Sequence, residues 1–407
     1  MGIKNINEIV KEKCPKAFVS VRLSALKNKY VAIDSAIWFY ANMAIAQRET
    51  VRKMKDIFEE IDRGDLLQYC ISSALKFYTN FLQNEIYCVW IKDGETPKEK
   101  KETRAKRKET REKRKETIEE LRERLLEEDI LLRNTKDIEE LRKMMMYDVT
   151  VYPEEYKTFY NTLEGMGIPI LTAPGEAEAY ACSLNRKGIV YGIWTTDTDC
   201  YALGGINMIT GMDAKDNEGF EMLSIVHIPY ILKYMDMDQD ELRDLCIMCG
   251  TDFNLNIPNV GPTRAYTAIE KHGSIEEYAK NTDKDIKILN HKKVRKLLTP
   301  PECDLTIDSE ELNFNLKNFK YTGKDLSLQF GLSNYYDKLK YLFSLEIDVS
   351  KYSIKSGPFS IKKVFSIEID GDIIVAKPKE KEKKKDIKFN NEIFSLEDLK
   401  KSIQELE

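Results

Sequence analysis

The sequence has 407 residues, of which 42% are hydrophobic and 33% are charged, and its formal net charge is −5 at pH 7. These values are typical of a soluble globular chain with one large domain or two ordinary ones. No apolar run approaches the roughly 20 residues that span a bilayer, the eight cysteines have no disulfide-framework spacing, and the first residues lack an apolar signal core. We therefore expect an intracellular protein with no membrane partner.

Short apolar runs that are typical of buried strands alternate with helical patterns in the first half of the chain. The runs lie at 30–33, 86–91, 168–171, 190–194 and 207–209. This alternation predicts an α/β fold with a twisted, mainly parallel sheet and helices on both faces.

The later elements are mainly helical. Residues 98–142 are charged and helix-prone, and residues 242–278 contain two helical stretches around a turn at 254–262. A region with a weaker pattern follows the prolines at 300–301. The Lys/Glu run at 377–388 predicts a partly disordered tail, and an amphipathic helix is predicted at 395–406.

Acidic residues follow four of the predicted strands. They are Asp34, Asp93, the pair Glu176 and Glu178, and the pair Asp197 and Asp199; a seventh, Asp252, follows the helical stretch 242–250. Because ligands sit outside the carboxyl ends of parallel strands, six of these acids should meet in one crevice. Each acid alone could be a turn or N-cap residue, but turn chemistry does not predict acids at the same end of four strands.

Clustered carboxylates raise each other's pKa and destabilise the fold unless cations offset their charge. Ligands that are all oxygen favour Mg²⁺, for which Mn²⁺ can substitute, over zinc. Two such ions about 4 Å apart would activate a water and stabilise the leaving oxygen of a phosphodiester. The cluster therefore predicts a metal-dependent nuclease.

The charged segment at 98–142 contains a basic stripe at helical spacing. Its residues are Lys100, Arg104, Arg107, Arg111 and Arg114, and Glu102, Glu109 and Glu116 fall on the opposite side. The stripe could hold phosphates beside the metals. The alternative is an exposed helix with intrahelical ion pairs.

Five motifs together resemble the XPG/flap-endonuclease family. They lie at 31–36, 93–94, 173–179, 196–200 and 250–253, and the resemblance extends from residue 1 to about residue 278. It implies a PIN-like 5′-nuclease fold in which the seven acids bind two metal ions. The implied reaction is hydrolysis at a 5′-flap junction in DNA replication and repair, with 5′–3′ exonuclease or junction cutting as alternatives. A haloacid-dehalogenase-like phosphatase, suggested by Asp197-Thr-Asp199, and a non-catalytic nucleic-acid-binding factor are the rivals outside the family.

The resemblance also implies roles for residues outside the acid cluster. Lys100 and Arg107 match the catalytic basic pair, and Arg104 lies between them on the segment that resembles the helical gateway. Tyr40 matches the aromatic residue on which a base stacks, the alternative being an ordinary core aromatic. The start Met-Gly-Ile implies that Gly2 lies near the active site.

The sequence departs from the family's pattern at three positions. Gln47 stands where the family often has arginine, so the neighbouring Arg48 becomes the candidate DNA contact. Lys92 replaces an apolar residue before Asp93, and Asn5 replaces a glycine. These departures bear on the substrate preference rather than on the chemistry.

Residues 256–265 resemble the hairpin of the family's helix-two-turn-helix module. Its turn amides could hold a phosphate, and the family often binds K⁺ there. Asn259 replaces the usual first glycine and tolerates the left-handed conformation. With Gly261 and Arg264 it forms the candidate duplex contact, whereas the alternative is a connector without a ligand.

The implied organisation has nuclease regions at 1–110 and 150–240, a cap at 98–142 and a helix-two-turn-helix module at 241–300. A C-terminal region at 301–376 and a charged tail at 377–407 complete it. Residues 329–336 fit the pattern of a sliding-clamp-binding peptide, although they also read as part of a helix. We expect a monomer that acts on branched DNA in a nucleus or at a viral replication site.

Overall fold

Strands and helices alternate along most of the chain in the computed structural model, which describes residues 2–95, 97–129, 133–301, 374–375 and 393–394. The strands are β1 (Phe18–Arg22), β2 (Tyr30–Asp34), β3 (Tyr87–Lys92), β4 (Ile170–Thr172), β5 (Gly192–Trp194), β6 (Asn207–Asp213), β7 (Met222–His227), β8 (Ile374–Val375) and β9 (Ile393–Phe394). They form one mixed sheet in the order β4-β3-β2-β5-β6-β7-β1-β8-β9.

Helices surround this sheet. They are α1 (Ile6–Lys13), α2 (Ser35–Lys53), α3 (Arg63–Gln83), α4 (Lys101–Glu127), α5 (Thr135–Tyr147), α6 (Pro153–Gly165), α7 (Ala177–Arg186), α8 (Asp199–Ala202), α9 (Ile228–Met235), α10 (Gln239–Cys249), α11 (Pro262–His272), α12 (Ile275–Thr282) and α13 (His291–Leu297). Short 3-10 turns lie at Pro15–Ala17, Leu23–Leu26, Lys98–Lys100 and Lys287–Leu289. In the part of the chain that the structure describes, no helix has the length and hydropathy needed to cross a membrane.

The five strands β4, β3, β2, β5 and β6 are parallel, and they correspond to the five predicted apolar runs. All of β2 is buried, as is β3 up to its last residue. Strands covered on both faces read as continuous apolar runs, which is why the sequence pattern finds them. The predicted α/β fold is confirmed, and the carboxyl ends of these strands share one edge of the sheet.

Strands β7 and β1 extend the sheet in antiparallel order and were not predicted. Ser20 in β1 lies directly opposite Ser224 in β7, and both serines are buried. A polar residue in the middle of each strand interrupts the apolar pattern by which buried strands are recognised.

Aromatic residues fill the core between the sheet and the helices. Trp90 of β3 is fully buried and lies with its ring centroid 4.9 Å from that of Trp38 in α2. Phe159 of α6 lies 4.5 Å from Phe39, also in α2. This packing fixes α2, which begins at one of the strand-end acids, against the sheet.

Helices α4 and α5 form an arch that has a hydrophobic core of its own. This small core contains Val51, Ile57, Leu125, Leu141 and Met145 and is separate from the main core. Gln47 of α2 is buried, and its Nε2 donates to the carbonyl oxygens of Met145 at 2.9 Å and Asp148 at 3.3 Å. The α4–α5 arch is therefore anchored on the second half of α2.

Helices α10 to α13 form a unit that a partly buried ionic network holds together. The guanidinium group of Arg295 donates to Asp244 at 2.6 Å and to both oxygens of Glu276 at 2.6 Å. Asp244 is almost fully buried and also accepts from the amide of Ile275 at 3.0 Å. The clamp-like segment 329–336, the helix predicted at 395–406 and most of the C-terminal region and tail lie outside the described residues.

Candidate active site

The first two acids stand at the ends of adjacent parallel strands. Asp34 is the last residue of β2 and caps α2, accepting from the amide of Ile37 at 3.2 Å and from Thr195 Oγ1 at 3.1 Å. Asp93 follows β3 and accepts from the amide of Ala177 at 2.8 Å. Both carboxylates are thus held in place by hydrogen bonds to neighbouring segments.

Three further acids lie in direct proximity. Glu178, in the first turn of α7, places a carboxylate oxygen within 4.8 Å of oxygens of Asp197 and Asp199, and all three residues are buried. Asp197 Oδ1 accepts from the amide of Asp199 at 3.1 Å. Glu176, the N-cap residue of α7, completes the group at this end of the sheet.

Several pKa values in the cluster are raised. Burial raises the pKa of Asp34 to about 7, and the charges of Asp93 and Asp197 add to this effect. Burial also raises the pKa values of Glu178 and Asp199 well above their ordinary range, with neighbouring carboxylates contributing. The carboxylates therefore lack enough positive charge nearby.

One carboxylate oxygen of Asp199, Oδ1, also lacks a favourable partner in the described part of the chain. This atom is buried, and among the described residues no hydrogen-bond donor reaches it. A buried carboxylate oxygen without a donor is costly, and a divalent cation satisfies it. The oxygen-rich donor set therefore fits a hard divalent metal ion.

Two basic residues of the stripe reach the acids. Lys100 Nζ contacts Glu176 and lies 3.5 Å from Glu178. Burial alone would lower the pKa of Lys100, but the two carboxylates outweigh it and raise this pKa. Arg107 Nη2 donates to both oxygens of Asp252, at 2.7 and 2.9 Å.

The start of the chain also enters the site. Gly2 has φ +86°, and a Cβ atom there would lie 2.1 Å from Asp197 Oδ1. The amide of Ile3 donates to Thr198 Oγ1 at 2.8 Å. Asn5 adopts the left-handed conformation with φ +52°, the region that glycine occupies most readily. These contacts place Gly2 against the acid cluster.

A cleft of about 1140 Å³ lies between α2, α4 and the loop at 251–255. Its walls include Tyr40, Arg104, Arg107, Arg111, Arg114 and Asp252. Tyr40 is 40% exposed, so it is not the core aromatic that the sequence left as an alternative. The basic stripe of α4 therefore faces a space next to the acids.

Arg48 does not line this cleft, and its Nε donates to the carbonyl oxygen of Ala44 in its own helix at 3.2 Å. Lys92 is accommodated at the end of β3 by an ion pair with Glu164 at 3.6 Å.

Thr195 and Thr198, which hydrogen-bond to Asp34 and Ile3, were not singled out from the sequence. The run of threonine and aspartate residues at 195–199 is the sequence signal that could have indicated these two threonines.

The turn before α11 has the conformation that the sequence predicts. Asn259 has φ +64°, in the left-handed region. Gly261 is the N-cap residue of α11 and has φ −88°. Arg264 Nη1 donates to the carbonyl oxygen of Asn259 at 2.5 Å and so closes the turn.

Two family models match this chain. The XPG N-terminal domain matches residues 1–114, and the XPG I-region matches residues 167–252. Together they include all seven acids and the basic residues of the cleft.

Curated relatives are similar over most of the chain. A probable RAD2-like endonuclease of Invertebrate iridescent virus 6 is 30% identical over 333 residues, covering 72% of this chain and 78% of the relative. Flap endonuclease 1 of Debaryomyces hansenii is 28% identical over 409 residues, covering 95% and 96% of the two chains. Human flap endonuclease 1 is 27% identical over 324 residues, covering 78% and 80%.

Solved structures share the fold. The catalytic core of Rad2 in complex with a DNA substrate superposes with a TM-score of 0.55 at 20% identity, covering 84% of this chain and 99% of that chain. Flap endonuclease-1 from Methanococcus jannaschii gives a TM-score of 0.55 at 23% identity, covering 82% and 98%.

Proposed function

The chain belongs to the XPG family of nucleases, and we propose that it is a structure-specific 5′ nuclease that hydrolyses DNA at 5′-flap junctions. The observation that carries this proposal is the position of the acid cluster beneath the basic stripe of α4. The likeness to flap endonucleases and to Rad2 supports DNA as the substrate. Membership in this family argues against a haloacid-dehalogenase-like phosphatase.

We propose that the acid cluster holds two divalent cations, Mg²⁺ with Mn²⁺ as a substitute. The ligands would be Asp34, Asp93, Glu176, Glu178, Asp197, Asp199 and Asp252. The raised pKa values and the unsatisfied Oδ1 of Asp199 support this assignment. When bound, the cations would supply an activated water and stabilise charge on the leaving oxygen.

Lys100 and Arg107 are the proposed electrostatic catalysts. In this structure their donors are directed at carboxylates, and the side chain of Arg107 is 46% exposed. A phosphate that enters the cleft can take over these hydrogen bonds. Fixed cations at the scissile phosphate stabilise the charge that develops there during hydrolysis.

The remaining proposed contacts orient the DNA. Tyr40 would stack on the base beside the cleavage site, and Arg104 would bind a phosphate. Because Gly2 has no side chain, it would let the DNA approach the acid cluster closely. Arg48 would have to contact DNA outside the cleft, since it does not line it.

The duplex would bind at the turn before α11. Asn259, Gly261 and Arg264 are the proposed contacts, and K⁺ is the proposed ion in the turn. Binding of this kind follows backbone phosphates and is independent of base sequence.

We also propose the organisation that the sequence implies, with the cap at 98–142 between nuclease regions at 1–110 and 150–240. The helix-two-turn-helix module would occupy 241–300. A sliding clamp is a candidate partner for the segment 329–336, the alternative being that this segment is part of a helix of the globular body. We propose a monomer that acts in the nucleus of a eukaryotic cell or at a viral replication site.

A panel of flap, gapped, nicked, bubble and four-way-junction DNA tests the proposed function. With Mg²⁺, the full chain should cut the 5′ flap near the junction faster than the other substrates, and EDTA should stop the reaction. Faster removal of nucleotides from a nick would favour the exonuclease, and faster cutting of the four-way junction would favour the junction-cutting alternative. A folded protein that cuts none of these substrates would refute the nuclease.

A pair of aspartate variants isolates the acid cluster. Asp197→Ala should abolish cleavage without unfolding the chain, because it relieves repulsion among buried carboxylates. Asp65→Ala, at an exposed position in the first turn of α3, should cleave like the wild type. Full activity of Asp197→Ala would contradict the role of the cluster.

A further inference from the structure

Three apolar side chains that line the cleft form what we call the apolar platform: Phe253, Leu255 and Ile288. Leu255 is 55% exposed and Ile288 is 41% exposed. Large aliphatic side chains beside a charged cleft are unfavourable in water, and grouped exposure of this kind marks binding surfaces. Phe253 packs against the main core, with its ring centroid 5.1 Å from Lys100 Nζ. The acid cluster and the basic stripe do not account for the exposed Leu255 and Ile288.

The loop that carries Leu255 is held by hydrogen bonds. Asn254 Nδ2 donates to the carbonyl oxygen of Ile247 at 2.9 Å, and Thr251 Oγ1 donates to Asn254 Oδ1 at 2.7 Å. The amide of Phe253 donates to Thr251 Oγ1 at 3.0 Å. The side chain of Leu255 therefore projects from a fixed turn and loses little entropy when a ligand binds.

Contacts along α4 show which residues lie at each end of the cleft. Thr103 Oγ1 donates to the carbonyl oxygen of Asp252 at 2.7 Å, and Arg107 binds the same residue. Farther along the helix, Arg114 Nη1 donates to the carbonyl oxygen of Tyr147 at 3.3 Å. From Thr103 to Arg114 the helix rises about 16 Å. The apolar platform thus lies at the Asp252 end of a cleft long enough for several nucleotides.

The two walls of this end have complementary chemistry. Arg104, Arg107 and Lys108 of α4 line the cleft with positive charge, and the platform lines it with apolar surface. Single-stranded DNA carries phosphates on its backbone and exposes unpaired bases with apolar faces. Duplex DNA presents phosphates but keeps its base faces stacked, so it cannot use the platform.

From this complementarity, and resting on the proposed function, we infer that the apolar platform binds the unpaired bases of the 5′ single strand beside the cleavage site. The phosphates of the same nucleotides face α4. The platform thereby selects for a strand that is already unpaired, and it contributes to recognition through base contacts that do not depend on base identity.

The test compares two 5′-flap substrates, one with normal flap nucleotides and one in which the flap nucleotides nearest the junction are abasic. The wild type should bind and cleave the normal flap better, and the platform should account for about five- to tenfold of this preference, the size expected when a base buries part of two aliphatic side chains. Stacking on Tyr40 adds the rest. The double variant Leu255→Ser, Ile288→Asn should lose this five- to tenfold part and keep only the preference that comes from stacking on Tyr40. Its activity on the abasic flap should equal that of the wild type.

Leu126→Ser is the matched control, since Leu126 is 50% exposed on α4 and does not line the cleft. It should keep the preference for the normal flap. Equal cleavage of both flaps by the wild type, or a preference as large in the double variant as in the wild type, would overturn the platform and leave flap cleavage standing. A wild type that cuts no flap at all would refute the proposed function itself.

Discussion

Gly94 follows the strand-end acid Asp93 at a place where two loops cross. A Cβ atom on Gly94 would lie 2.0 Å from the carbonyl oxygen of Ala173, while its amide donates to the carbonyl oxygen of Gly175 at 2.8 Å. The obstacle is backbone, which cannot rotate away as a flexible side chain can. Gly94→Ala must therefore push the loop at 93–95 away from the loop at 173–176.

The size of this effect follows from the contact. Ordinary van der Waals contact begins near 3.4 Å, so the loops must separate by about 1.4 Å. Overpacking of this kind costs about 1–3 kcal/mol of unfolding free energy. Because Asp93 accepts from the amide of Ala177, the separation also shifts Asp93 relative to Glu176. A displacement of about 1 Å in a catalytic site costs on the order of 100-fold in rate.

We therefore expect Gly94→Ala to cut flap DNA about 100-fold more slowly in single-turnover assays, while thermal unfolding shifts by only a few degrees. Gly175→Ala is the control in the facing loop, because its Cβ would lie 3.9 Å from the nearest atom, the carbonyl oxygen of Glu95. That variant should cleave like the wild type. The reasoning fails if Gly94→Ala cleaves normally or if both variants lose activity equally.

Two further predictions concern charge. Lys100→Ala and Arg107→Ala should each slow single-turnover cleavage by about 10²- to 10³-fold, while flap binding measured in EDTA should change far less. The control variant Lys113→Ala, at an exposed position, should cleave and bind like the wild type. Normal cleavage by both Lys100→Ala and Arg107→Ala would exclude the proposed catalytic pair. Burial lowers the pKa of His227 from 6.5 to about 3, so the unfolded chain takes up a proton that the folded chain does not. Stability should fall by up to about 1.4 kcal/mol per pH unit as the pH drops below 6.5. In urea unfolding, His227→Gln should show a smaller acid loss, and an unchanged loss would contradict this reading.

The parallel half of the fold and the grouping of the acids could be predicted from sequence for one physical reason. Strands β2 and β3 are covered on both faces, so their apolar runs are continuous, and a carboxylate directly after such a run must lie at the edge of the sheet. The basic face of α4 could also be predicted, because the spacing of residues on one face of a helix can be read from a short stretch of sequence. The left-handed turn at Asn259 followed from the side-chain chemistry of asparagine.

Other features depend on contacts between residues distant in the chain. Ser20 and Ser224 lie opposite each other in β1 and β7. These two strands were not predicted, because a buried serine interrupts the apolar pattern in the same way as an exposed residue. Nothing local indicates that Gln47 binds the carbonyl oxygens at the end of α5 or that Arg107 binds Asp252. The apolar platform is similar, since Leu255 and Ile288 line the same cleft only when α10 to α13 fold.

The small hydrophobic core of the α4–α5 arch has a consequence for how this enzyme can change. Opening the arch exposes only the few side chains of that core, whereas the acid-bearing strands are stabilised by the much larger core beneath them. Local unfolding of the arch therefore requires much less free energy than global unfolding. Mutations in the small core can change the stability of the arch while the core beneath the acid-bearing strands stays intact, so the stabilities of these two parts can evolve as separate traits.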